Sequence, residues 1–289
     1  MVWYFARRAR LLAAVFCVCI AASVAEAQEG GIDWQVGPAI GKLGDVAEIT
    51  VPEGYRFAGS DGVRKFMELT QNPVGGNELG VILPPEGAGE WFVVFEFNRI
   101  GYVKDNEKDA LDADAILKSI KEGTAYANEE RRKRGWSTVD VVGWHSAPRY
   151  DTVTNNLTWA IVGASEGDRS VNHSVRLLGR SGVMKADLVL DAKEAATALP
   201  EFDQLLTQFQ FTSGNKYAEF VPGDKIAEYG LTALVAGGLG AAAAKSGLLG
   251  KLWKFIVLGV VGAFAALKKA LGSLFGKRDP EVEASTTAQ

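Results

Sequence analysis

Leu157-Thr-Trp-Ala-Ile-Val-Gly-Ala164, Val171-Asn-His-Ser-Val-Arg-Leu-Leu-Gly179 and Val183-Met-Lys-Ala-Asp-Leu-Val-Leu190 follow one another closely, separated by Ser165-Glu-Gly-Asp-Arg-Ser170 and Arg180-Ser-Gly182. Short runs rich in Val, Leu, Ile and Trp between Gly-, Asp- and Ser-containing turns predict successive antiparallel strands. A fourth candidate precedes them near Thr138 to Trp144. Further upstream, Trp91-Phe-Val-Val-Phe-Glu-Phe97 is apolar at both alternating sets of positions, which predicts a strand buried on both faces. Two helices bracket the strand series. Asp109 to Arg134 opens with Asp109, Asp112 and Asp114 and closes with Arg131 to Arg134 before Gly135, the polarity that a helix dipole favours. Lys193 to Thr207 is the second helix, leading to a short strand at Gln208 to Thr212. The expected class is α+β: a mainly antiparallel sheet flanked by helices.

Both ends of the chain are written for a membrane. Arg7, Arg8 and Arg10 precede the apolar run Leu11 to Val24, and Ala25-Glu26-Ala27 satisfies the small-x-small rule, so residues 1–27 are expected to be a cleaved signal peptide. Cys17 and Cys19 leave with it, and neither has the small preceding residues of a lipidation site. The expected mature chain is therefore free of cysteine, which removes disulfides, thiolate metal sites and thiol nucleophiles together. Residues 28–228 form the expected extracytoplasmic domain, 229–275 the membrane-anchoring segment and 276–289 a polar tail. The anchor has two apolar stretches, Leu231 to Leu249 and Leu252 to Leu267, interrupted by Lys245, Gly250, Lys251 and Lys254. One span ending near Lys268 and Lys269, with those lysines and Lys277-Arg278 in the cytoplasm, is favoured. A two-span hairpin, holding Lys245, Lys251 and Lys254 inside, stays open. Gly237, Gly238 and Gly240 would permit close helix packing and self-association. The expected location is the bacterial inner membrane with the domain outside the cytoplasm.

The full chain carries a formal charge of −4, and the stretch between signal and anchor concentrates the acid, with 21 basic against 31 acidic residues. Nucleic acid, whose binding is dominated by phosphate neutralisation, is a poor partner for such a surface.

Several local patterns resemble catalytic or metal motifs and break down on inspection. Gly163-Ala-Ser165-Glu-Gly167 fits the nucleophile-elbow spacing, but a strand follows where a helix belongs, so a hairpin turn is expected. Asp105, Glu107 and Asp109 mimic the start of a calcium loop, yet Ala110 and Ile116 replace the glycine and glutamate that such a loop needs, and helix capping accounts for the carboxylates. Gly240 to Ser246 lacks both glycines of a phosphate loop, with Leu239 and Ala244 in their places. His145 and His173 lie on different predicted strands. Together with Asp151 they hold the atoms for a zinc site, but no spacing requires them to meet, and solvent-facing or hydrogen-bonded histidines are the expectation. No metal and no cofactor is expected.

The candidate interaction surface is the segment holding Trp144, His145, Pro148, Arg149, Tyr150 and Asp151. Proline lacks a ladder donor and is expected to interrupt the sheet there, giving a recognition loop with the aromatic and arginine content of binding hot spots. The competing structural role is that Trp144 and Tyr150 plug the core while Asp151 caps the next turn. Two functions follow: a non-enzymatic envelope module that binds another envelope protein or a wall or lipid component, favoured because no nucleophile and base stand at a recognisable spacing; and an envelope hydrolase using His145 or His173 with a nearby carboxylate.

Gly101-Tyr-Val-Lys-Asp105, Asp112-Ala-Asp-Ala-Ile-Leu117, Gly143-Trp144 with Pro148, Tyr150 and Asp151, Leu157-Thr-Trp159-Ala160, Val175-Arg-Leu-Leu-Gly-Arg180 with Gly182, and Asp224-Lys-Ile-Ala-Glu-Tyr-Gly230 together resemble the bacterial membrane-anchored proteins grouped as domain of unknown function 2167. The resemblance runs from about Trp34 to Leu274. It implies a membrane-anchored protein and no particular activity. The order of strands, helix and short final strand also resembles, more loosely, the Mog1/PsbP-like sandwich of secreted binding modules.

Overall fold

A computed structural model describes residues 31–236, apart from Gln71, Pro73 and Arg134. The expected signal peptide, the polar tail, and the anchor beyond Ala236 with Gly237, Gly238 and Gly240 lie outside the described residues.

The strand expected at Trp91 to Phe97 organises the rest. It is β6 (Phe92–Asn98), numbered after β1 (Gln35–Val36), β2 (Ala39–Leu43), β3 (Ala47–Val51), β4 (Arg56–Gly59) and β5 (Glu78–Leu83). The later strands are β7 (Asp140–Asp151), β8 (Asn156–Ser165), β9 (Asp168–Leu178), β10 (Val183–Asp191) and β11 (Phe209–Phe211). Eight of them form one antiparallel sheet in the order β1-β4-β5-β6-β10-β9-β8-β7, and β11-β3-β2 form a second, smaller sheet. Alternation along β6 serves two layers, as its apolar run predicted. Val93, Phe95 and Phe97 join the core beneath the small sheet and helix α3 (Ala195–Leu206), whereas Phe92 and Val94 pack under α1 (Ser60–Leu69).

The opposite face has two coverings. Helix α1 sets Val63, Phe66 and Met67 against Val81, Leu83, Phe92 and Val189. At the far side of the sheet, α2 (Ala113–Lys133) and the short helix α4 (Leu231–Val235) close a third cluster with Leu157, Trp159, Ile161, Leu178 and Val183. Helix α2 starts where the Asp112 carboxylate accepts the Ala115 N–H at 3.0 Å, so Asp112 supplies the capping that the sequence placed at Asp109. It stops at Gly135, whose φ of +69° lets the N–H groups of Gly135 and Trp136 return to the carbonyls of Arg132 and Arg131.

The expected hairpin is present between β8 and β9, with Glu166 and Gly167 both at positive φ, as a two-residue turn matched to the strand twist requires. The recognition loop expected at residues 143–151 is instead the second half of β7. Pro148 is tolerated because β7 is the outermost strand and because the register shifts between Ser146 and Arg149, leaving Pro148 outside the ladder pairs. The five strands and the helix before Trp91 were not assigned from sequence.

Between the areas covered by α1 and α2, the outer face of β9 and β10 is polar. Ser174 donates to Asp187 at 2.6 Å and Arg176 to the same carboxylate oxygen at 2.8 Å, while the Arg176 guanidinium lies 4.6 Å from the Trp159 ring. The neighbouring charges hold the Asp187 carboxyl below its ordinary range against its own burial. Removing one member of such a pair leaves a buried charge uncompensated. Arg176→Met is expected to destabilise the protein by about 3 kcal/mol, read as a lowered midpoint in urea unfolding; an unchanged midpoint would remove this pair from the account of the fold.

Candidate functional site

The six residues singled out along β7 divide between two roles. Trp144 is half-buried against the α2 cluster and donates its indole N–H to the Ala113 carbonyl at 3.2 Å, fastening the start of α2 to the sheet edge. Tyr150 lies in the same cluster and donates to the Asn155 side chain at 3.3 Å; burial first, then the Asp105 carboxylate, push its phenol above the ordinary range. Asp151 accepts the N–H groups of Val153 at 2.8 Å and Thr154 at 3.3 Å, and these bonds hold its carboxyl below the ordinary range. These three side chains therefore have structural work. His145 and Arg149 are exposed, and Pro148 is half-buried at the bulge.

His173 is paired with Ala160 of β8 and Leu188 of β10, and its ring meets Phe202 of α3 edge-on at 5.5 Å. Burial lowers the tendency of the imidazole to protonate, opposed by Asp203; His145 and Arg149 add smaller effects of the same sign as burial. The charges acting on His173 thus include His145 and Arg149, and the carboxylates acting on it are Asp203 and, more weakly, Asp187, not Asp151. Asp203 was not selected from sequence, since nothing in its spacing from His173 announces that α3 folds across β9. Among the described residues no group of three or more His, Asp or Glu side chains could hold a metal ion.

Two other motif look-alikes are occupied, and the stretch Gly240 to Ser246 lies outside the described residues. The Ser165 hydroxyl donates to the Thr138 carbonyl at 2.8 Å at the mouth of the hairpin, with no imidazole among its described partners. The Glu107 carboxylate accepts the Thr232 N–H at 3.1 Å and so caps α4; a Cβ on Gly230 would come within 2.5 Å of it.

A second constellation was missed because its members are distant in sequence. After β11 the chain forms a strap, residues 212–230, that returns across the end of the large sheet. Tyr102 exchanges backbone hydrogen bonds with it, receiving Ala227 N–H at 2.9 Å and donating to the Lys225 carbonyl at 2.7 Å. The Tyr102 ring stacks on Tyr217 at 4.4 Å and lies 4.3 Å from Phe220, and the Tyr217 hydroxyl donates to the Val103 carbonyl at 2.9 Å. Arg180 makes a two-point ion pair with Asp224, Nε to Oδ2 at 2.7 Å and a terminal nitrogen to Oδ1 at 2.9 Å. Gly101, at φ +102°, is required where it stands, because a Cβ there would meet the Lys225 carbonyl oxygen at 2.6 Å. The segments around Gly101, Gly179-Arg180 and Asp224 to Gly230 are thus parts of one joint. A shallow cleft of ≈ 350 Å³ opens beside it, with Arg180 directed at Asp224 and Arg99 paired with Asp45.

The fold and this joint define the class of protein: an antiparallel α+β sandwich whose C-terminal strap is clamped to the end of its main sheet. The chain belongs to the family described as protein of unknown function (DUF2167), whose model matches residues 35–268. A comparison with curated proteins finds no match. Among solved structures, the solution structure of cyanobacterial PsbP (CyanoP) from Synechocystis sp. PCC 6803 is similar at 12% identity with a TM-score of 0.37, over 58% of this chain and 88% of that chain. At that score the likeness carries no argument.

The Arg180 guanidinium, followed by the Val221 N–H, brings the Asp224 carboxyl down to about 2. A carboxyl lowered on folding stabilises the folded form above its ordinary range, near 4, and the contribution disappears as pH falls through the folded value near 2. The strap is therefore expected to stay docked at pH 4 and loosen towards pH 2, whereas Asp224→Asn loosens it at neutral pH. Hydrogen exchange at Tyr217 to Ala227 reads this directly, and equal protection in the variant would show that the pair does not hold the strap.

Proposed function

We propose that this chain is a membrane-anchored bacterial envelope protein whose extracytoplasmic domain works by binding and not by catalysis. The observation that carries the reading is the joint. A domain hung on a flexible linker takes every orientation, but here the strap is bonded to the sheet end from Thr212 to Ala227 before the apolar sequence begins at Leu231. Whatever holds the apolar segment then also fixes the direction in which the domain faces, which serves presentation of a surface to a partner. The basic and apolar start of the chain supports export, and the lysines after Leu267 support an anchor with a cytoplasmic tail.

The surface presented is the outer side of β7, the last strand of the sheet among the described residues, and the adjoining face with Val142, His145 and Arg149, all exposed. Its outer edge offers ladder groups to an incoming chain, while its bulges and Pro148 limit indiscriminate pairing. Trp144 and Tyr150 support this face from behind without forming it.

A hydrolase using His145 or His173 has one supporting observation, the carboxylate of Asp203 acting on a half-buried His173. Purification of the full-length protein from its own membranes in mild detergent separates the two. For a binding module, a stoichiometric partner co-elutes, persists with His145→Ala and His173→Ala, and falls at least tenfold in yield with Arg149→Glu at unchanged melting temperature. Isolation of the chain alone, with its cellular phenotype abolished by His173→Ala in a folded protein, would replace this reading with the hydrolase. Recovery of the protein in the soluble cytoplasmic fraction would end both.

A further inference from the structure

We infer that the cleft beside the joint, lined by Arg99, Arg180, Ser181 and Lys225, is a binding site for the phosphoryl group of a phosphate ester. Its walls come from three segments, the end of β6, the turn between β9 and β10, and the strap, so the site exists only while the strap is docked. The cleft keeps this chemistry whether or not the chain is anchored in a membrane.

The stretch between signal and anchor carries 21 basic against 31 acidic residues, yet the residues lining this cleft include three cations and a single carboxylate. That carboxylate, Asp224, is already engaged. Arg180 donates to both of its oxygens, and the Val221 N–H adds a second donor to Oδ2 at 2.9 Å. Arg99 finds its carboxylate outside the cleft at Asp45, in a pair whose side chains are 57% and 78% exposed and whose attraction water therefore weakens.

The cations are also held in place before any ligand arrives. Arg180 gives Nε and one terminal nitrogen to Asp224, which fixes the guanidinium plane and leaves the other terminal nitrogen without a partner among the described residues. The Arg99 guanidinium lies 5.3 Å from the Phe97 ring and is bonded to Asp45 through one terminal nitrogen. A guanidinium immobilised along one edge and open along the other loses little freedom on taking an oxyanion. Lys225 is exposed, its ammonium has no partner among the described residues, and its carbonyl accepts the Tyr102 N–H at 2.7 Å, so the charge hangs from a pinned backbone. The Ser181 carbonyl accepts the Gly101 N–H at 3.0 Å, but the Ser181 hydroxyl is buried without a partner among the described residues, a state that an acceptor in the cleft relieves. Two guanidinium groups, an ammonium and a hydroxyl offer more donors than the two oxygens of a carboxylate engage, and they suit the tetrahedral oxygens of a phosphoryl group. The volume of ≈ 350 Å³ leaves room for the ester substituent beside it.

Calorimetric titration of the full-length protein in an uncharged detergent, at about 0.1 M sodium chloride so that unspecific attraction is screened, tests the site with two probes. Glycerol 3-phosphate is a soluble monoester, and glycerophosphoglycerol is the diester headgroup of an anionic lipid without its acyl chains. At least one of them is expected to bind at one equivalent and to saturate below about 10 mM. Binding of the diester tighter by tenfold or more assigns the site to a lipid headgroup; parity, or tighter binding of the monoester, assigns it to soluble phosphate esters. Lys225→Glu and, independently, Arg99→Gln are expected to weaken binding at least about tenfold at an unchanged melting temperature, whereas Lys225→Arg retains it and Lys42→Glu, exposed on the small sheet, leaves it alone. No saturation by either probe at about 10 mM, binding that either cleft variant leaves unchanged, or an equal loss with Lys42→Glu overturns the inference. None of these results bears on the anchored reading, which only recovery of the protein in the soluble cytoplasmic fraction would end.

Discussion

Two-sided burial of β6 and β10 is the constraint on which the rest of the structure depends. Strand β6 is apolar at odd and even positions from Phe92 to Phe95, and β10 sets Met184, Ala186, Leu188 and Leu190 on one face and Val183 and Val189 on the other, so a single covering layer would leave apolar side chains in water. The small sheet and α3 take one face, through Phe95, Met184, Leu188 and Phe202, and α1 takes much of the other through Phe92, Val94 and Val189. Positions farther from this centre face progressively looser demands. Strand β7, at the edge, accommodates a proline and three register shifts that would break ladder bonds in the middle of the sheet.

Where the outer covering changes from α1 to α2, the sheet turns from apolar to polar, and the change has a physical consequence. Ser174, Arg176 and Asp187 satisfy one another, with Arg176 also lying over Trp159, so their charges are buried as a set. The start of α4 lies at the end of this strip. Capping of α4 by Glu107 and clamping of the preceding strap by Arg180, Asp224 and the tyrosine stack mean that the chain is delivered there in a fixed position.

Legibility followed the strength of local patterning. The β8 to β10 series and α2 were readable because strand runs bounded by turn residues, and a helix with acid at one end and base at the other, carry their signals within a few residues. Residues 31–90 are weakly patterned, since β1 is two residues long and β2 interrupts its pattern with Gly41 and Lys42; the signal of α1 is confined to the spacing of Val63, Phe66 and Met67. Pro148 was read by its backbone chemistry alone, and the prediction of a loop failed because an edge strand does not need the N–H that proline lacks. Trp144 and Tyr150 fitted both a recognition loop and a core plug by residue type, and the third cluster places them in the plug.

The sequence by itself determined the class of fold, the hairpin at Glu166-Gly167 and the two-faced burial of β6, because all of these depend on residue type and short-range periodicity. Tertiary structure decided what meets what. Gly101, Arg180 and Asp224 lie as much as 123 positions apart and form one joint, and Asp203 acts on His173 from a different element. No local pattern encodes those meetings, since they arise from the order in which strands enter the sheet and from the path by which the strap returns across its end.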